Sequence, residues 1–188
     1  RERGHAISLF VRTPGKPEET DRSLHEGEFD GFKLWRYVNR LRFSGVDETY
    51  RFGPAEAAFD RVLAAEKPDV IMTPEFANHV SWYDTKEQAI ERAITLDGPW
   101  IERVGAKAAE HGVWILLNAI VRRGEQRVTG SNLLFDPNGS LVAQSSKQVL
   151  MGSERLHFDP ADTIGDISQT PFGTTGMYSC MDGVIFET

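Results

Sequence analysis

The chain is nearly without thiols. Cys180 is the only cysteine among 188 residues, which excludes an internal disulfide framework and leaves one sulfur nucleophile to consider. A basic excess is also missing: 21 lysines and arginines face 28 aspartates and glutamates, for a net charge of −7. A nucleic-acid surface needs clustered cations to neutralise phosphates, so this balance argues against one. No apolar stretch approaches a membrane span, and no segment has the pattern of a secretory leader. The expectation is a cytoplasmic protein with no nucleic-acid and no membrane partner. The five histidines, at 5, 25, 79, 111 and 157, show no metal-ligand spacing with a cysteine or with one another, so neither a metal nor a cofactor is expected.

No repeat, low-complexity tract or linker divides the chain, and residues 1–188 read as one domain. Arg1 opens it and Thr188 closes it just after an apolar run, which reads as a fold incomplete at its C-terminus. Residues 5–12 are a short apolar run that suits a first strand. Residues 13–53 are rich in charge and in Gly and Pro, and read as a long excursion, with a short helix expected within Phe32–Phe43. Gly53-Pro54 opens a helix with Ala55, Phe59, Val62 and Leu63 on its apolar face, ended by Lys67-Pro68. Val70-Ile71-Met72 reads as a buried strand ending at Thr73-Pro74-Glu75. Two helices follow, one from Thr85 to about Leu96 and one from Pro99 to Gly112. Val113–Val121, Val128–Phe135 and Ser140–Ser146 are strands, joined by a turn at Arg122–Arg127 and by the strong turn Asp136-Pro137-Asn138-Gly139. Gly176–Cys180 reads as a last strand. The order predicts a mixed α/β fold.

Three reactive side chains share one property in this reading: Glu75, Lys147 and Cys180 each stand at or just past a strand's carboxyl end, where open α/β sheets collect ligands. Their chemistry is complementary. A lysine cation favours the thiolate. A carboxylate takes the thiol proton and returns it to a leaving amine. An ammonium with a backbone N–H stabilises an oxyanion. Such a set performs acyl transfer without histidine or metal.

Three segments carry a family resemblance. TPFGTTGMYSCMDGVIFE (170–187) resembles the nucleophile strand of the nitrilase superfamily, the carbon–nitrogen hydrolases: an apolar strand leads to Cys180, with Asp182 two positions on and Glu187 seven on. PDVIMTPEF (68–76) is similar to the family's first motif, which gives Glu75 the general-base role. GSLVAQSSKQVLMGSE (139–154) resembles the second, which gives Lys147 the oxyanion role. Glu154 sits where the family often has a further glutamate, and Asn132 matches a frequent family asparagine. Met181 stands where an aromatic residue is usual, and its backbone N–H is the expected second oxyanion donor; Phe186 replaces a usual proline. The resemblance covers residues 68–188 and implies an α-β-β-α sandwich, with 13–53 as a subfamily insertion. It further implies cleavage of a non-peptide carbon–nitrogen bond in a small amide, carbamoyl or nitrile substrate, and a homo-oligomer. The aspartate after the cysteine resembles the amidase and carbamoylase branches.

Plainer readings stand beside these. A lone cysteine is often core, a lone glutamate often a helix-start carboxylate, and a lone lysine a solvated one. Asp182 and Glu187 suit loop and helix support better than chemistry. His79 or His157 is the alternative base. Phe76, Trp82 and Tyr83 either line a pocket or pack a loop. Competing functions are an N-acyltransferase of the same fold, a nitrilase, and a non-catalytic binding or assembly module.

Overall fold

The computed structural model describes residues 6–13, 15–38, 53–79 and 83–183, in two compact units, 1–68 and 69–188.

The first unit holds β1 (Ser8–Thr13), β2 (Leu24–Phe29), β3 (Phe32–Val38) and α1 (Gly53–Glu66). The sheet order is β1-β3-β2, with β1 parallel and β2 antiparallel to β3. The helix expected within Phe32–Phe43 is a strand through Val38, and 39–43 lie outside the described residues. The cause is Asp30-Gly31. Both residues are left-handed, with φ of 49° and 75°, and they form the two-residue link that a hairpin favours. Phe29 then pairs with Phe32, and aromatic and β-branched residues extend the strand to the buried Tyr37 and Val38. Glu66 fastens α1 to this sheet by accepting from Ser8 Oγ at 2.6 Å and Trp35 Nε1 at 2.8 Å.

The second unit begins with β4 (Val70–Met72), α2 (Lys86–Arg92), α3 (Pro99–His111), β5 (Trp114–Arg122), β6 (Val128–Phe135) and β7 (Leu141–Ser146). It ends with the single turn α4 (Glu154–His157) and the hairpin β8 (Ile167–Thr170) and β9 (Gly173–Gly176). The main sheet runs β4-β5-β6-β7; β4 is parallel to β5, and the other pairs are antiparallel. Strands β4 and β7 therefore point the same way and deliver their carboxyl ends to one end of the sheet. Local sequence sets the helix limits. Thr85 caps α2 by accepting from Gln88 N, and left-handed Gly112 ends α3.

The strand alternation divides the sheet into two faces. On one, Ile115, Leu117, Ala119, Val121, Leu133 and Phe135 pack with Ile101 and Ala108 of α3. The other carries Ile120 and Val128, packed with Phe76, Tyr83, Ile90, Leu150 and Phe158, and also the polar pair Asn118 and Asn132, which face each other in register.

Two strand expectations change. Val70 and Met72 are exposed, because β4 is the outer strand of its sheet rather than an interior one. The strand expected over Gly176–Cys180 ends at Gly176; Cys180 opens a 3-10 turn, Cys180–Gly183, with a left-handed φ of 48° that a strand does not accommodate.

Helix α3 meets the β6–β7 turn backbone to backbone. A Cβ on Gly105 would run into the Gly139 carbonyl oxygen, and one on Gly139 would stand 2.5 Å from that of Gly105. Alanine in a helix interior gains about 1 kcal/mol over glycine, whereas forced overlap in a packed interior costs about 1–3 kcal/mol. Gly105→Ala should therefore lower the urea unfolding midpoint. A raised midpoint would show that helix and turn do not touch as described.

Candidate active site

Lys147 occupies the first position past β7. Its N–H donates to Gly130 O at 2.8 Å and its carbonyl accepts from Ala161 N at 2.9 Å, so the backbone is held on both sides. The residue is only 1% exposed. Its Nζ donates to Glu75 Oε1 and to Glu154 Oε1, each at 2.9 Å. The structure thus brings together Glu75, Lys147 and Glu154.

Strands β5 and β6 lie between β4, which leads to Glu75, and β7, which leads to Lys147. The chain closes that gap by turning over the sheet. Thr73 N donates to Leu116 O and Ala77 N to Asn118 O, which keeps the segment beside β5. Phe76 turns left-handed, with φ of 56°, a conformation that costs a non-glycine residue about 1–3 kcal/mol. Its N–H is held by Asn118 Oδ1 at 2.7 Å. The Phe76 ring lies on the bare backbone of Gly130, where a Cβ would come within 2.8 Å of ring Cε1. The Lys147 ammonium stands 5.8 Å from the same ring's centre, a cation–π distance.

Burial opposes the charge on Lys147, but the hydrogen bonds from its ammonium to Glu75 and Glu154 outweigh it and hold its pKa above the usual lysine value. Glu154 is fixed through both oxygens, because Oε2 accepts from Met151 N at 2.8 Å. The Glu75 side chain is 33% exposed against 14% for Glu154, so Glu75 is the carboxylate that reaches outward.

Cys180 is exposed. Its two flanks are tied down. Before it, buried Ser179 Oγ accepts from Asn118 Nδ2 at 2.9 Å and from Asn132 Nδ2 at 3.0 Å, and donates to Asn132 Oδ1 at 3.2 Å. After it, Asp182 accepts from Gln148 N at 3.1 Å and Val149 N at 2.8 Å, directly past Lys147. Asp182 therefore supports the turn, as its residue type suggested. Met181 is second in that turn, ahead of the bond from Asp182 N to Ser179 O. Among the described residues no hydrogen bond joins Cys180 to Glu75 or Lys147.

Asn132, matched above to a family asparagine, lies beside the Cys180 turn through its bonds to Ser179. Asn118 and Ser179 were not anticipated. Their signal was an amide inside the apolar run WILLNAIV, and a second amide facing it across the hairpin. Phe76 and Tyr83 are buried in the apolar cluster. His79 stacks on Tyr83 at 5.0 Å, and buried His157 meets Tyr83 edge-on at 5.9 Å. Trp82, Phe186 and Glu187 lie outside the described residues. Among the described residues, no group of three or more His, Cys, Asp or Glu is placed to hold a metal ion, and no helix is long and apolar enough to cross a membrane.

The family profile described as carbon–nitrogen hydrolase matches residues 45–187. The chain belongs to the carbon–nitrogen hydrolase family. This hydrolase-family chain is 31% identical over 130 residues to the deaminated glutathione amidase of Yersinia enterocolitica, across 60% of its own length and 43% of that relative. It thus spans less than half of that protein. An N-terminal amidase solved with an Asn-Glu-Ala peptide superposes with a TM-score of 0.55 at 20% identity, over 68% of this chain and 30% of the other. The NitFhit protein of C. elegans does so with 0.57 at 19% identity, over 70% and 35%. These structural likenesses, at about one residue in five identical, show a shared α/β fold.

A lysine whose pKa rises on folding adds stability that is complete below its unfolded value, 10.5, and fades as pH climbs through the folded one. Lys147→Met should destabilise the protein by about 3 kcal/mol at neutral pH, because Glu154 loses its buried cation. The gap between wild type and variant should stay level to about pH 10 and narrow above it. Denaturant titrations across pH measure this; a gap unchanged at high pH would show that folding does not raise the Lys147 pKa.

Proposed function

We propose that this chain is the nucleophile-bearing part of an amidase-like hydrolase that cleaves the carbon–nitrogen bond of a small amide through a cysteine acyl-enzyme. The observation that carries the proposal is the buried Lys147 ammonium, shared by Glu75 and Glu154, with the Cys180 turn fastened to the amides just past that lysine.

Glu75, the more open carboxylate, takes the Cys180 proton. The thiolate attacks the carbonyl carbon. Lys147 and the Met181 N–H hold the oxygen as it gains charge. Glu75 returns the proton to the leaving amine, then activates the water that breaks the thioester. Glu154 acts on Lys147 by keeping it charged and oriented. Family membership and the amidase relative support an amide substrate; carbamoyl compounds offer the same carbonyl. A homo-oligomer through the family sandwich belongs to the same proposal.

Cys180→Ala and Glu75→Gln should both fold, as judged by circular dichroism, and both should lose turnover of an amide library by at least about 1000-fold. Turnover retained by either variant would remove that residue from the mechanism. Acyl-enzyme trapped from wild type should be resolved by water; faster resolution by added amines would point to acyl transfer instead.

A further inference from the structure

We infer that Asn118 is a positioning residue that sets Glu75 against Cys180, so that one buried amide aligns base and nucleophile. The inference rests on the roles proposed above for Glu75 and Cys180.

Asn118 lies mid-way along β5 and is 6% exposed. Its bonds bracket Glu75. The Asn118 N–H donates to Thr73 Oγ1 at 2.9 Å, its carbonyl accepts from Ala77 N at 2.9 Å, and its Oδ1 accepts from Phe76 N at 2.7 Å. The other end of the same amide reaches the nucleophile turn. Nδ2 donates to Ser179 Oγ at 2.9 Å and to Asn132 Oδ1 at 2.8 Å. Ser179 immediately precedes Cys180, and Phe76 immediately follows Glu75.

The two reactive groups need such a link for a stated reason. Phe76 and Cys180 are both non-glycine residues in the left-handed region, at φ of 56° and 48°, and such conformations persist only where the surroundings enforce them. Among the described residues no hydrogen bond joins Cys180 to Glu75 or Lys147, so any alignment of these groups has to come through the backbone that carries them. The orientation of the amide is also determined. Oδ1 must face the Phe76 N–H, and Nδ2 must face the Asn132 oxygen; a flipped amide would set donor against donor. A leucine fills the same shape and makes neither bond. Asp182 fastens the far side of the turn to Gln148 and Val149 and Asn132 still bonds Ser179 Oγ, so loss of the Asn118 link loosens the near side of the turn without freeing the turn as a whole.

The test compares two reactions of Cys180 in the full chain. One is acylation by 4-nitroacetanilide, which needs thiol and base aligned. The other is alkylation by iodoacetamide at about pH 9.5, where a free thiol ionises without help. Asn118→Leu should acylate about 100-fold more slowly than wild type, the scale expected for a displacement near 1 Å, while its alkylation rate stays the same. Ser179→Ala, which removes one hydroxyl and leaves the Phe76 bond, should acylate more slowly than wild type but faster than Asn118→Leu. The double variant should lose less than the two single effects combined, because the Asn118–Ser179 bond is common to both. Acylation by Asn118→Leu at the wild-type rate, or parallel loss of acylation and alkylation, would overturn the inference. If Asn118→Leu does not fold, wild-type acylation by Ser179→Ala overturns it equally. Wild type that forms no acyl-enzyme with the anilide or any library amide would bring down the amidase reading and this inference together; wild type that does so, with variants to match, brings down this inference alone.

Discussion

An ammonium enclosed by protein must be answered by negative charge, and Lys147 is the place where this fold meets that demand. Removing a cation of this kind from water costs several kcal/mol unless paired and hydrogen-bonded groups replace the lost solvation. Two carboxylates do so, from segments that are far apart in sequence. Glu154 comes from just downstream, on a single helical turn that begins by anchoring its second oxygen to Met151 N. Glu75 must come from across two strands. Much of the local architecture serves that reach: the turn over residues 75–78, the left-handed Phe76 within it, and the bare Gly130 on which the Phe76 ring rests.

The sheet contributes in a second way, through the polar groups its faces carry. The face under α3 packs its apolar residues against that helix and also carries Thr129, Ser131 and Ser146, bonded to Arg123, while the opposite face interrupts its apolar residues with Asn118, Asn132 and Ser145, all hydrogen-bonded. Buried amides are tolerable only when their donors and acceptors are matched, and here the matching partners include backbone and hydroxyl groups of the two loops that carry Glu75 and Cys180. Polarity inside the sheet therefore orders the loops outside it. The β6–β7 hairpin supplies the rest, since its carboxyl end presents Lys147 at the same end of the sheet as Glu75.

Residue pattern made most of the second unit legible. The apolar runs of β5, β6 and β7, the Asp-Pro-Asn-Gly turn and the Pro-to-Gly span of α3 all follow from local preferences, and they place Lys147 at a strand end. The first unit was less readable because Asp30-Gly31, a strong hairpin signal, sits among charged and glycine residues that resemble loop. The segment leading to Cys180 misled for another reason. GTTGMYSC has the small and apolar residues of a strand, but Ser179 is drawn into the amide pair and Cys180 takes a backbone that leaves the sheet. That outcome depends on side chains from β5 and β6, which no local window contains. The outer position of β4 is likewise a matter of sheet order, not of its own three apolar residues. Glu75, Lys147 and Glu154 were individually nameable; that Glu154 shares the ammonium with Glu75 needed coordinates.

The solitary exposed thiol has a practical side. With one cysteine in the whole chain, a thiol reagent has a single address, and the amount consumed counts chains. A fluorophore, spin label or heavy atom placed there reports from the turn between Ser179 and Asp182, and from nowhere else. Its attachment point adjoins the groups whose chemistry is in question.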